Sequence, residues 1–361
     1  MVWKNCDNNM TVLIKFEVCL QWMSYITKPR AKVQGLWANI AKNFEMRFLV
    51  TGANGFVGQV LCSELLLRGH SVRGAVRSNN ISQQNIEVIA VGNIDETTDW
   101  QNALSGVDAV IHLAARVHIM NDTAVDPLAE FRRINVASTR HLAQCAAEKG
   151  VKRLVYVSSI KVNGEATYGE SQFLASDTPA PQDPYGISKW EAEQVLRRVA
   201  DQTGLESAVV RAPLVYGPGV KGNFIQMLRV IAKGIPLPFS SIHNLRSLIY
   251  VGNLVDALIV CATNASAAGK TYLVCDGEDI STPDLIRQLA KGMGTKANLF
   301  LCPSALLRFA GKLTGKSQQL DRLLESSRID SGVIRNDLNW TPRFSLQQGL
   351  KLTAEWYRKA K

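Results

Sequence analysis

The chain has 361 residues, 46% of them hydrophobic, 20% charged and 7% aromatic, which sets aside disorder, collagen-like repeats and a coiled coil and leaves room for two lobes. Its formal net charge of +10 is spread along the sequence, so the basic balance points to small anionic ligands such as nucleotide phosphates and away from nucleic acid. Seven cysteines show neither C-x-x-C pairing nor zinc-ligand spacing, and we expect reduced thiols, no metal site and a cytoplasmic setting.

Residues 1–45 hold three of the seven tryptophans, Trp3, Trp22 and Trp37, without a helical or strand period. We read them as a mis-assigned upstream start or a poorly ordered extension, with a second start at Met46. The most apolar stretch, Thr11 to Ile26, is interrupted by Lys15, Glu17 and Gln21 and falls short of the roughly 18 apolar residues that span a bilayer. The polar opening at Lys4, Asn5 and Asp7 is not that of a signal peptide, so no membrane insertion is expected.

From Met46 onward, short apolar runs alternate with segments of helical period. Strands are expected at Arg47 to Thr51, Ser71 to Val76, Ile86 to Ala90, Ala109 to Leu113, Arg153 to Val157 and Ser207 to Val210. Helices are expected near Phe56 to Arg68, Asp99 to Leu104, Pro127 to Lys149 and Tyr185 to Thr203. Parallel neighbours need long connections that return over the sheet, so this alternation predicts an α/β, doubly wound (Rossmann) parallel sheet. After Arg211 the pieces shorten, with helices near Asn223 to Ala232, Asn253 to Thr263, Thr282 to Gly292 and Leu346 to Arg358. We therefore expect a dinucleotide-binding domain over 46–211 and a smaller substrate-binding lobe over 212–361, some of whose segments return to the sheet.

Between the first strand and first helix lies Thr51-Gly52-Ala53-Asn54-Gly55-Phe56-Val57-Gly58. Glycines there permit a tight turn, admit a pyrophosphate to the backbone and let helix pack on strand, while the helix N-terminus faces the phosphates. Gly52, Asn54, Gly55, Phe56, Val57 and Gly58 are the expected cradle of a dinucleotide. The second strand ends at Val76-Arg77-Ser78 with no acid for ribose hydroxyls; Arg77 and Ser78 suit a 2′-phosphate, which favours NADP(H), with NAD(H) the alternative. Ser158-Ser159 closes the fifth strand, and Tyr185 and Lys189 stand four apart at the start of the next helix. That spacing puts both on one face, where an ammonium would favour phenolate and make the tyrosine an acid or base near neutral pH. A second Tyr-x-x-x-Lys, Tyr357 to Lys361, lacks a preceding strand and reads as surface.

With these motifs in order, residues 46–361 resemble an extended short-chain dehydrogenase/reductase, the branch containing nucleotide-sugar epimerases, dehydratases and reductases. Further carriers are His112-Leu113-Ala114-Ala115, Asn135 in Ile134-Asn135-Val136, and Arg211-Ala212-Pro213-Leu214-Val215-Tyr216-Gly217. The resemblance implies that Ser159 orients the reacting oxygen, Tyr185 exchanges its proton and Lys189 binds the nicotinamide ribose. It also implies that Ala114, Ala115, Asn135 and Pro213 line the cofactor. Where the dehydratases carry Asp-Glu after the catalytic serine or threonine, this chain has Ile160-Lys161, which leaves a 4-epimerase or a 4-keto reductase. The nearest resemblance is to the UDP-4-keto-sugar reductases of O-antigen synthesis, the UDP-N-acetylquinovosamine dehydrogenases. It rests on Ala115-Arg116-Val117-His118-Ile119-Met120, Ser158 to Gly164 and Gly219 to Phe224. By that resemblance the substrate is a UDP-sugar, with Asn223 and Arg246 around its diphosphate, Lys161 near its sugar and His118 nearby as a satisfied polar residue. Homodimerisation is common in the family and is expected here. A redox-sensing dinucleotide-binding protein is the reading from outside enzymology, and the intact Ser159, Tyr185 and Lys189 set argues against it.

Overall fold

Alternate side chains of a strand buried on both faces must be apolar in both directions, and the strand Phe48-Leu49-Val50 meets that condition. Phe48 and Val50 join a cluster with Leu61, Leu65, Ile111, Val155 and Val210, whereas Leu49 faces Val110, Leu154, Tyr156, Leu142 and Leu196 on the other side. In the computed structural model, which describes residues 45–78, 86–117, 126–313 and 317–360, this pattern builds a seven-stranded sheet in the order β3-β2-β1-β4-β5-β6-β9. Its strands are β1 (Arg47–Thr51), β2 (Ser71–Val76), β3 (Glu87–Ala90), β4 (Ala109–His112), β5 (Arg153–Ser159), β6 (Glu206–Ala212) and β9 (Thr271–Leu273), all paired in parallel. Residues 1–44 of the extension expected over 1–45, and His118, lie outside the described residues.

Helices α1 (Phe56–Leu67) and α7 (Val251–Thr263) contribute to the first apolar cluster. The second is closed by α4 (Ser138–Glu148) and α5 (Pro184–Thr203). Each fully buried leucine, isoleucine or phenylalanine in these layers contributes about 1.5–3 kcal/mol. The chain order reverses between β1 and β4, and ligands of open α/β sheets bind outside the strand ends at such a point.

The expected strands lie where the period places them, with β5 and β6 each running further than anticipated. The helix expected over Pro127 to Lys149 is interrupted: α3 (Pro127–Phe131), capped by Asp126, passes through a π-helical stretch at Arg132–Ala137 into α4. One extra residue per turn is rarely stable by itself and is found mostly at functional sites; here it carries Asn135.

Three short strands, β7 (Leu214–Tyr216), β8 (Arg246–Tyr250) and β10 (Asp279–Ile280), form a separate sheet in the order β10-β8-β7. Around it pack α6 (Gly222–Ala232), α8 (Thr282–Met293) and α12 (Leu346–Lys359), the last opened by a capping box of Ser345 and Gln348. Helices α9 (Ser304–Leu313), α10 (Ser317–Leu324) and α11 (Gly332–Leu338) lie outside the helices expected from the sequence and, with α2 (Gln101–Leu104), complete the α-helices of the described residues. Tyr357 corrects a sequence expectation: it is buried against this second core and not on the surface, because α12 turns that side toward α8. Among the described residues no helix is long and apolar enough to cross a membrane.

Candidate active site

The turn after β1 is set by two glycines whose missing side chains matter. Gly52 has φ +68°, and a Cβ there would lie 3.2 Å from Ala114 N; a Cβ on Gly58 would lie 2.2 Å from Gly52 O and 2.8 Å from the Ala53 backbone. Asn54 and Gly55 complete the turn, and Gly55 caps α1 without a side-chain acceptor, so the first N–H groups of Phe56, Val57 and Gly58 project from a helix start. Such a start is a ready anion site. A dinucleotide pyrophosphate therefore fits this cradle. Arg77 and Ser78 stand exposed just beyond β2, next to the buried Val76.

Beneath the turn runs a buried polar chain. Thr51 Oγ1 accepts the N–H groups of Leu113 and Ala114, both at 3.1 Å, and meets His112 Nδ1 at 2.7 Å. Its own proton is thereby directed to Nδ1, which leaves His112 Nε2–H to donate to Thr139 Oγ1 at 3.1 Å. Thr139 in turn donates to Asn135 O at 2.6 Å. Burial, reinforced by the Lys189 charge, lowers His112 to about 3, so the ring is neutral as this chain requires. Asn135 takes the N–H of Arg116 at 2.8 Å and donates to Arg116 O and Ser188 Oγ at 3.0 and 2.9 Å. It clamps the segment bearing Ala114 and Ala115 to α5, its amide engaged within the protein.

Successive residues of β5 point to opposite sides, and that separates the two serines. Ser158 is buried and donates to Glu193 Oε1 at 2.5 Å. Ser159 and Tyr185 line one cavity, and Ser159 accepts Lys161 N at 3.3 Å to start a short 3-10 turn. Pro184 at the first position and Asp183 as N-cap, accepting Gly186 N at 2.7 Å, begin α5 so that Tyr185 and Lys189 follow on one face. Burial pushes the Tyr185 phenol up to about 12, with the Ser159 hydroxyl pulling the other way. Burial also lowers Lys189 to about 7, opposed by Glu193, and its Nζ lies 4.3 Å from the Tyr156 ring centre. This differs from the sequence expectation of a phenolate favoured by Lys189: loss of hydration dominates both groups, and the tyrosine is held protonated at neutral pH.

The cavity is about 550 Å³ and is lined by Ser159, Lys161, Tyr185, Pro213, Asn223 and Arg246 among others. These are the residues expected at the substrate, with one expected at the cofactor. Arg246 donates to Glu325 O at 3.1 Å and is lowered by burial and by the Arg322 charge. Lys161 pairs with Glu165 at 2.7 Å and with Asp183; Ile160 beside it is buried. Opposite the polar rim, Phe224, Leu237, Phe239, Ile280 and Leu285 make an apolar wall.

Sequence reasoning missed the support behind this site. Arg211 and Glu193 form a buried two-point ion pair, with Nε and Nη2 at 3.0 and 2.6 Å from the carboxylate oxygens. Arg211 Nη1 reaches Asn163 Oδ1 at 3.0 Å, and Asn163 Nδ2 donates to Leu174 O at 2.8 Å. Arg211 and Asn163 were legible only as motif letters. Glu193 carried one usable signal: it falls four residues after Lys189 on the same helix face.

The profile of the NAD dependent epimerase/dehydratase family matches residues 48–275. The chain belongs to this family. A UDP-glucose 4-epimerase of Vibrio cholerae is 40% identical over 314 residues, 86% of this chain and 95% of that protein. A lipid-linked sugar epimerase of Escherichia coli O157:H7, N-acetyl-alpha-D-glucosaminyl-diphospho-ditrans,octacis-undecaprenol 4-epimerase, is 26% identical over 85% of this chain and 94% of its own. Among solved structures, MoeE5 in complex with UDP-glucuronic acid and NAD superposes with a TM-score of 0.70 at 26% identity, covering 87% of this chain and all of that one. As a member of the epimerase/dehydratase family the chain is an enzyme of nucleotide-sugar chemistry whose relatives hold NAD.

Proposed function

We propose that the protein is an NADP(H)-dependent reductase of the C4 keto group of a UDP-linked 2-acetamido-2,6-dideoxy-hexulose. The observation that carries the reading is the meeting of Ser159 and a protonated Tyr185 with Asn223 and Arg246 around one cavity. The bound dinucleotide supplies hydride exchange at the sugar carbon. Ser159 hydrogen-bonds the C4 oxygen and Tyr185 delivers the proton that oxygen gains on becoming a hydroxyl. Lys189 holds the nicotinamide ribose. Arg246 and the N-terminus of α6, which bears Asn223, take the diphosphate.

Two features support reduction over dehydration and cofactor exchange over a tightly held NAD. Lys161, paired to Glu165 and Asp183, occupies the position where a dehydratase needs an acid, and Arg77 with Ser78 suits the 2′-phosphate of NADPH. A second reading, 4-epimerisation, is favoured by the 40% identical relative; there the same groups remove and return the proton.

The test is oxidation of NADPH and NADH by the purified enzyme with the UDP-4-keto sugar, followed by NMR of the product's C4 configuration. Stoichiometric oxidation that is lost in Tyr185→Phe supports the reductase. Interconversion of UDP-hexoses with no net cofactor turnover replaces it with the epimerase, and a fully active Tyr185→Phe enzyme removes both.

A further inference from the structure

Of the large apolar side chains exposed among the described residues, five fall within one short span: Phe300, Leu301, Leu306, Phe309 and Leu313, with Leu301 79% and Leu313 73% exposed. Leu306, Phe309 and Leu313 recur at helical spacing along α9, while Leu307 of the same helix is buried in the second core. The helix thus has one broad apolar face, packed inward at Leu307 and turned outward at Leu306, Phe309 and Leu313, and a patch of this kind marks an interaction surface.

The charge around the patch selects its occupant. From 291 to 313 the sequence contains Lys291, Lys296, Arg308 and Lys312 and no aspartate or glutamate. Lys291, Lys296 and Lys312 are exposed, whereas Arg308 is paired to Asp321 at 2.7 Å. A second copy docked two-fold on this face would set the same lysines against each other. Residues 1–44 carry six lysines and arginines against Asp7 and Glu17, so their sequence offers these lysines no complementary charge.

We propose that the outer face of α9, together with Phe300 and Leu301, docks on an anionic bilayer surface. The aromatic and leucine side chains enter the boundary between headgroups and acyl chains, and the lysines meet the lipid charge. The elements involved also build the cavity: Phe300 N donates to Leu237 O at 3.0 Å, and Leu237 lines the cavity, as does Leu323 of α10, on which α9 packs. Docking would therefore place the catalytic cavity close to the membrane surface without any spanning segment.

The experiment is flotation of the full-length protein with phosphatidylcholine vesicles, and with equimolar phosphatidylcholine and phosphatidylglycerol, at low and high salt. We expect binding to the anionic vesicles only. Lys296→Gln with Lys312→Gln should weaken it by about twenty- to thirtyfold, and Leu306→Ser with Phe309→Ser should abolish it while thermal stability and dinucleotide binding stay unchanged. Absence of flotation overturns the proposal. So does flotation that survives the serine substitutions, or a halving of the solution mass in the serine variant, which would assign the face to a second copy.

Discussion

Gly58→Ala tests the proposed cofactor turn directly. The added Cβ would stand 2.2 Å from Gly52 O and 2.8 Å from Ala53 C and Cα, about 1 Å inside ordinary contact. All three obstacles are backbone, so no side chain can rotate away, and relief requires moving either α1 or the turn itself. In the helix alone the change would gain about 1 kcal/mol, whereas forcing a methyl into a closed backbone contact costs about 1–3 kcal/mol or more. The expected net is a loss of about 1–2 kcal/mol, or several degrees of Tm, and more than a tenfold loss of dinucleotide affinity as the turn leaves its phosphate-binding shape. Gly69→Ala is the control: it has φ +81° with nothing within 4 Å of the added carbon, so it pays only the left-handed strain of about 1–2 kcal/mol and keeps its affinity. Differential scanning fluorimetry and titration of NADPH read both. A Gly58→Ala protein with unchanged Tm and a Kd within twofold of the parent would refute the packing argument.

Glu193→Gln should cost about 3–5 kcal/mol because Arg211 is left buried without its counter-charge; the paired replacement Glu193→Leu with Arg211→Met should recover much of it in urea denaturation. Lys189 titrates near 7 when folded against an ordinary 10.5, so between those pH values only the unfolded chain holds the proton and stability rises with pH. Lys189→Met should then be more stable than the parent at pH 7 and below, with the advantage vanishing toward pH 10.5 in denaturation at a series of pH values. Asn135→Leu removes the acceptor of Arg116 N and loosens Ala114 and Ala115, for a loss of about 1–3 kcal/mol and weaker cofactor binding by fluorescence titration.

The dinucleotide half was legible because its strands are buried on both faces and its helices are long, so period and length agree at each element. The C-terminal part was less so. Strands of two or three residues, such as Asp279–Ile280 and Leu214–Tyr216, are too short to show alternation, and α9 and α10, of ten and eight residues, leave little room for a helical period to repeat. Tyr185, Lys189 and Ser159 could be found because helix spacing and strand ends constrain where they stand. Glu193 offered only its spacing from Lys189, since a glutamate on a helix ordinarily faces water and only the opposing Arg211 from β6 makes burial tolerable. The interrupted helix at Arg132–Ala137 follows from the hydrogen bonds of Asn135 and Thr139, which no local propensity encodes.

The last strand of the large sheet, Thr271–Leu273, comes from far beyond Arg211, and the helix before it, Val251–Thr263, packs on the face of that same sheet. A chimera joined at residue 211 would consequently separate β6 from its neighbour and strip one face of the sheet, exposing Val210, Ala208 and Ile111. Exchanging substrate preference between relatives requires two junctions on each side of this returning strand and helix, so that new pocket walls are grafted around a segment that stays with the nucleotide half. A graft that respects this order is an insertion into a continuous host and not the exchange of a tail.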